Sequence, residues 1–151
     1  MTKARTLDTQ EIVQKLKSDQ AKELFEANGV LAAYLFGSVA EGRTHAHSDV
    51  DVAVVFLRSV PALRYGKGRL AIIAGLMSLL DLDEVDVVPL NKAPALLSFE
   101  VIRTGITLYA ADEYETAEFE IQALGLYYDL ARELDSYLAE MQTRIKERGL
   151  A

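Results

Sequence analysis

Hydrophobic residues along the chain follow two spacings. Val30–Phe36 (VLAAYLF) and residues 50–57 (VDVAVVFL) are short, nearly continuous apolar runs, the second strongly β-branched, and each predicts a buried strand. Residues 84–90 (EVDVVPL) and Ile106–Ala110 (ITLYA) predict two more. Pro89 assigns the former to a sheet edge or to the end of its strand, because proline donates nothing to a ladder. Elsewhere apolar positions recur every three or four residues. Residues 7–27 predict one helix, capped by Asp8 or Thr9 and ended by Asn28-Gly29. Residues 70–80 predict another, with Ile73, Leu76, Met77 and Leu80 inward, and residues 94–103 a short third stopped by Gly105. The basic stretch 63–69 (LRYGKGR) reads as a loop or frayed helix start, with contact of a basic side chain to phosphate the less favoured alternative. It lacks the Lys-Ser or Lys-Thr that a phosphate loop needs after its last glycine.

Residues 112–148 predict one long helix. Asp112, Glu113, Glu115, Glu118 and Glu120 crowd its start and Arg144, Lys146 and Arg148 its end, both complementing the helix dipole. One apolar line runs through Ala117, Ile121, Leu124, Tyr128, Ala131, Leu134, Leu138, Met141 and Ile145, and a second through Phe119, Leu126, Leu130 and Tyr137. One line suffices to dock a helix on its own sheet. The second predicts contact with a partner chain, a broad core-facing surface being the alternative. The fold class is therefore α/β (α+β): a small mixed sheet flanked by helices, with a core domain at 1–110 and a C-terminal helical segment at 111–151.

Half of the 151 residues are hydrophobic, enough for one domain with a real core. There are no cysteines, which excludes disulfides and thiolate metal sites. The longest apolar runs are strand-length and the N-terminus is polar, so a soluble cytoplasmic protein without membrane attachment is expected. A net charge of −7 argues against direct nucleic-acid binding, which relies on clustered Lys and Arg, yet leaves room for a nucleotide carried with a cation.

The chemistry concentrates between the first two strands, in residues 37–51 (GSVAEGRTHAHSDVD). Alternation along a strand puts Asp49 and Asp51 on one face, roughly 6–7 Å apart. At that separation they repel by roughly 3 kcal/mol at an effective dielectric near 20. The pair must therefore share a proton, meet cations or bind metal, and bare oxygen ligands suit Mg²⁺ or Mn²⁺. At the loop's start Gly37 opens space for a phosphate and Ser38 offers a hydroxyl and an N–H. A short helical turn over residues 39–42 is expected to add free N–H groups. Arg43 faces either a triphosphate or water. His45 and His47 form an H-x-H pair that reads as a solvated turn, with a transition-metal site the less favoured alternative.

Gly37-Ser38, ten residues, then Asp49-Val50-Asp51 resembles the motif of the minimal nucleotidyltransferases of the DNA polymerase β superfamily. Gly42 and Ser48 stand where that pattern has glycine and serine, and residues 102–109 resemble the family's helix–glycine–strand close. The resemblance covers roughly residues 7–110. It implies a third metal-site carboxylate, Asp86, on a strand beside Asp49 and Asp51. It further implies transfer of a nucleotide from a nucleoside triphosphate, here ATP, with Gly37, Ser38, Arg43 and Ser48 on the nucleotide side. Two Mg²⁺ ions (or Mn²⁺) about 3.5–4 Å apart are expected to clamp an in-line displacement at the α-phosphorus. Size, acidity and the appended helix are most similar to the antitoxins of HEPN/MNT toxin–antitoxin pairs. That likeness implies AMP transfer to a tyrosine of a HEPN ribonuclease toxin within a hetero-oligomer. The competing expectations are an aminoglycoside-type small-molecule nucleotidyltransferase and an antitoxin acting by occlusion alone.

Overall fold

In the computed structural model, which describes residues 7–42 and 49–149, the chain runs α1 (Thr9–Leu16), α2 (Asp19–Ala27), β1 (Val30–Phe36), β2 (Val50–Phe56), α3 (Tyr65–Leu80), β3 (Val85–Pro89), α4 (Ala95–Thr104), β4 (Ile106–Ala110) and α5 (Glu113–Glu147). The strands form one sheet in the order β3-β2-β1-β4. β1 runs antiparallel to β2 and β4, whereas β2 and β3 are parallel. Parallel neighbours need a crossover, and α3 supplies it. The mixed sheet, flanking helices and long last helix are the expected architecture.

The near-continuous apolar runs of β1 and β2 are explained by cover on both faces. Val50, Val52, Val54 and Phe56 pack with Leu16, Phe25, Ile72, Leu76 and Leu80 from α1, α2 and α3. Ala53, Val55, Leu31 and Tyr34 pack on the other face with Leu90, Val101 and Phe119. Asp51 shares that second face by alternation.

Three local expectations change. Residues 7–27 form two helices, because the Ser18 hydroxyl donates to Lys15 O (2.6 Å) and accepts from the Ala21 N–H (3.3 Å), capping α2. That break lets Leu16 and Phe25 both be fully buried. α3 starts at Tyr65, well before residue 70, since the Phe56 ring stacks on Tyr65 (centroids 4.8 Å apart) and lies against Gly68. A Cβ at Gly68 would sit 3.0 Å from that ring, so packing outweighs the poor helix propensity of glycine. Leu76 and Leu80 are buried as expected, but Ile72 and not Ile73 joins them, with Ile73 and Met77 packed at the margin. Gly105 ends α4 at φ −74°, not in the left-handed region. Its role is close approach, a Cβ there falling 2.4 Å from Val101 O and 3.1 Å from Leu35 O.

α5 docks through neither of the two apolar lines alone. Its covered side carries Thr116, Phe119, Glu120, Ala123 and Tyr127. Thr116 and Glu120 both have partners: the Thr116 hydroxyl donates to Asp112 O (2.7 Å) and the Tyr34 hydroxyl donates to Glu120 Oε1 (2.6 Å). Tyr127 stacks on Phe99 of α4 at 3.8 Å between centroids. Burial, reinforced by the Glu120 carboxylate, pushes the Tyr34 phenol far above its ordinary pKa, so it stays a donor. Tyr34→Phe leaves Glu120 half-buried without this partner. It should lower stability by about 1–2 kcal/mol in urea unfolding.

Candidate active site

β1 ends at Phe36, which pairs with Asp51 across the antiparallel ladder, and Asp51 in turn pairs with Asp86 across the parallel one. Side chains at paired positions point to the same face. The carboxylates of Asp51 and Asp86 therefore stand on one face of neighbouring strands, and Asp49, two residues before Asp51, shares it. Asp51 is half-buried, while Asp49 and Asp86 are exposed.

Gly37 turns the chain out of β1 at φ +79°. A Cβ built on it would lie 2.7 Å from Asp51 Oδ2, so what presses closest on this glycine is the carboxylate of Asp51. Ser38 follows, half-buried, and Val39 anchors the loop in the core. The Glu41 N–H donates to Gly37 O (3.2 Å) and the Gly42 N–H to Val39 O (3.1 Å), which makes residues 39–42 a single turn. The turn is too short to offer a helix N-terminus, which removes that source of the expected free N–H groups. The Thr9 hydroxyl ties the loop to α1 through Val39 O at 3.4 Å. Arg43, Ser48, His45 and His47 lie outside the described residues.

Burial raises the pKa of Asp51 above the usual carboxylate value, and the negative charges of Asp86 and then Asp49 raise it further. The face thus holds like charges that favour protonation or a cation. Although Asp86 has apolar neighbours in sequence, it is exposed on the edge strand and it has a partner. Its Oδ1 accepts from the Val87 N–H (2.9 Å) and from the guanidinium of Arg69 (3.0 Å). As placed, no three His, Asp or Glu side chains among the described residues converge tightly enough to cage a metal ion. In charge and donor type the set still fits an oxygen-preferring divalent cation, which takes one or two carboxylates and completes its shell with water and phosphate. Arg69 escaped the sequence reading because it belongs to the basic stretch read as a loop. Arg64 and Lys67 of that stretch line a groove with Asn28 and Gly29, at the end of the sheet opposite Asp51.

Residues 19–114 match the family described as polymerase beta, nucleotidyltransferase. The chain belongs to that family. It is a nucleotidyltransferase whose Gly37, Ser38, Asp49 and Asp51 lie within the matched span. It is 29% identical over 108 residues to the protein adenylyltransferase MntA of Shewanella oneidensis, covering 72% of this chain and 73% of the relative. Its fold resembles a chain from the crystal structure of a toxin–antitoxin with AMP-PNP (TM-score 0.63, 26% identity, 83% of this chain and 99% of the other). It also resembles a chain from a tri-AMPylated Shewanella oneidensis HEPN toxin in complex with MNT antitoxin (TM-score 0.60, 25% identity, 85% and 98%).

For a nucleotidyltransferase, the tight fit of Gly37 against Asp51 has a direct consequence. Gly37→Ala drives a methyl group into Oδ2 of Asp51 and strains a left-handed backbone. If Asp51 serves the transfer reaction, displacing its carboxylate by about 1 Å is expected to cost about 100-fold in transfer rate. Steady-state transfer assays, with far-UV circular dichroism to verify folding, measure this.

Proposed function

We propose that this chain is an antitoxin that transfers AMP from ATP to a tyrosine of a cognate HEPN ribonuclease toxin, releasing pyrophosphate. The observation that carries the reading is the file of carboxylates, with Asp51 opposite Asp86 and Asp49 on the same face, set against the Gly37 turn. The Gly37–Ser38 backbone and the Ser38 hydroxyl hold the outer phosphates of ATP, with Arg43 and Ser48 adding contacts from the rest of the loop. Asp49, Asp51 and Asp86 would hold two Mg²⁺ ions, or Mn²⁺ in their place, which would neutralise the charge that builds on the attacking and leaving oxygens. The acceptor hydroxyl attacks the α-phosphorus in line, the bond to the β-phosphate oxygen breaks, and Asp86, with the cation it would hold, favours loss of the acceptor's proton, to water or to Asp86 itself. Positioning and charge neutralisation carry most of the rate.

The choice of a protein acceptor over a small molecule is supported by α5. From Asp129 onward it carries Leu130, Leu134, Tyr137, Leu138, Met141 and Ile145, all exposed, and apolar side chains gathered on one exposed helix commonly mark an interaction surface. We assign this stretch to docking of the toxin. The likeness to chains of toxin–antitoxin crystals supports the same assignment. Among the described residues no helix is long and apolar enough to cross a membrane, so these positions do not form a membrane span.

Co-expression with the product of the neighbouring gene, followed by intact-mass measurement with ATP and Mg²⁺, tests the proposal. One or more AMP additions on the partner support it. A stable complex without any mass change supports neutralisation by occlusion alone. Absence of a complex, with modification of a small hydroxylated compound, replaces it with a small-molecule transferase.

A further inference from the structure

We propose that Arg69 is a positioning residue for this site. Its guanidinium reaches around the open edge of the sheet and fixes the Asp86 carboxylate with one oxygen engaged and the other free for a divalent cation shared with Asp51. The inference rests on the reading of Asp86 as a metal ligand given above.

Arg69 belongs to α3, which packs on the face of the sheet opposite the one carrying Asp51 and Asp86. β3 is an edge strand, so its outer backbone groups have no strand neighbour. Arg69 supplies one: its Nε donates to Val87 O at 2.6 Å while a terminal nitrogen donates to Asp86 Oδ1 at 3.0 Å. The Val87 N–H donates to the same Oδ1 at 2.9 Å. A single planar group thus grips the main chain of one residue and the side chain of the one before it. Asp86 Oδ2 accepts no hydrogen bond among the described residues.

The ion pair is open to solvent, with 40% and 51% of the two side chains accessible, so its contribution to stability is small and its consequence is geometric. Carboxylates that hold metals are commonly oriented by an outer hydrogen bond, and losing that bond weakens metal binding about 10- to 100-fold. Lysine cannot reproduce the two-pronged grip, because its ammonium is a point donor. The same contact covers an edge that would otherwise be free to pair with another chain.

The test uses Mn²⁺ alone, titrated into the full-length protein and followed by electron paramagnetic resonance. Steady-state kcat and KM for ATP are measured in parallel, and thermal melts verify folding. Arg69→Gln is expected to weaken Mn²⁺ binding about 10-fold and to lower kcat more than it raises KM, with Arg69→Lys recovering only part of either. Asp86→Asn should weaken Mn²⁺ binding at least as much, and adding Arg69→Gln to it should change nothing further. If Asp86→Asn weakens binding while Arg69→Gln leaves it untouched, the positioning role is wrong and the ligand reading survives. Unchanged binding in Asp86→Asn removes the ligand reading and the positioning role together. A full further loss from Arg69→Gln in the Asp86→Asn background would show that Arg69 acts through the fold, and would also overturn the proposal.

Discussion

Asp49→Asn and Asp51→Asn are each expected to reduce the proposed AMP transfer by a factor on the order of a thousand, while the protein stays folded and still binds the proposed partner. Asparagine keeps the shape and one acceptor oxygen but removes the charge that a divalent cation requires. The two substitutions are expected to differ in stability, and the difference separates them. Asp51 is half-buried and its carboxylate has a raised pKa because of burial and of Asp86 and Asp49, so its ionised form is disfavoured in the native state. The sign follows from linkage: below the ordinary carboxylate pKa the folded and unfolded states are both protonated and nothing is lost. As the pH rises through the raised native value, the wild type loses stability that Asp51→Asn retains. Without divalent cation at neutral pH, Asp51→Asn should therefore melt above the wild type, and the gap should close at acid pH or on adding Mg²⁺. Thermal melts across pH, with and without Mg²⁺, check it. Full transfer activity in either variant would contradict the assignment of these aspartates.

The parts of the fold that were legible share one property: their pattern depends on near neighbours in sequence. The buried strands announce themselves as β-branched runs, and the Asn28-Gly29 and Asp112 boundaries as local caps. What escaped depends on residues far apart. Two short helices in succession look like one, and the Ser18 cap between them shows as a break only once Leu16 and Phe25 are both seen to be buried. Gly66 and Gly68 disguise the start of α3, because the ring of Phe56 that calls for Gly68 comes from another element. The covered side of α5 was hidden by its polar members, Thr116 and Glu120, whose partners appear only in three dimensions. The loop motif marked Gly37, Ser38, Asp49 and Asp51 as candidates. That Gly37 presses on Asp51 itself, and that Arg69 grips Asp86 from across the sheet edge, are tertiary facts with no trace in spacing.

Ending the chain at Tyr128 should abolish stable partner binding and leave nucleotide binding within about twofold. α5 starts where the Ala111 N–H donates to Leu31 O and passes Tyr34 through Glu120, following β1 toward the Gly37 end, before Tyr127 meets Phe99. Everything that holds it to the domain is in place by that point. Beyond Tyr128 the described residues of the helix are exposed apart from the half-buried Ala131. The remainder, at 1.5 Å per residue, projects roughly 30 Å. Its two apolar lines run together there, so removing them costs the domain none of its own packing while stripping the proposed docking surface. Leu134→Glu with Leu138→Glu is the full-length control: burying two charges in an apolar contact is expected to weaken the complex about 100-fold or more. Calorimetric titration of each variant with the partner and, separately, with an unreactive ATP analogue reads both quantities. Partner affinity equal to that of the intact chain would move the docking surface elsewhere on the domain. Loss of nucleotide binding alongside it would instead mean that the projecting segment supports the carboxylate face directly.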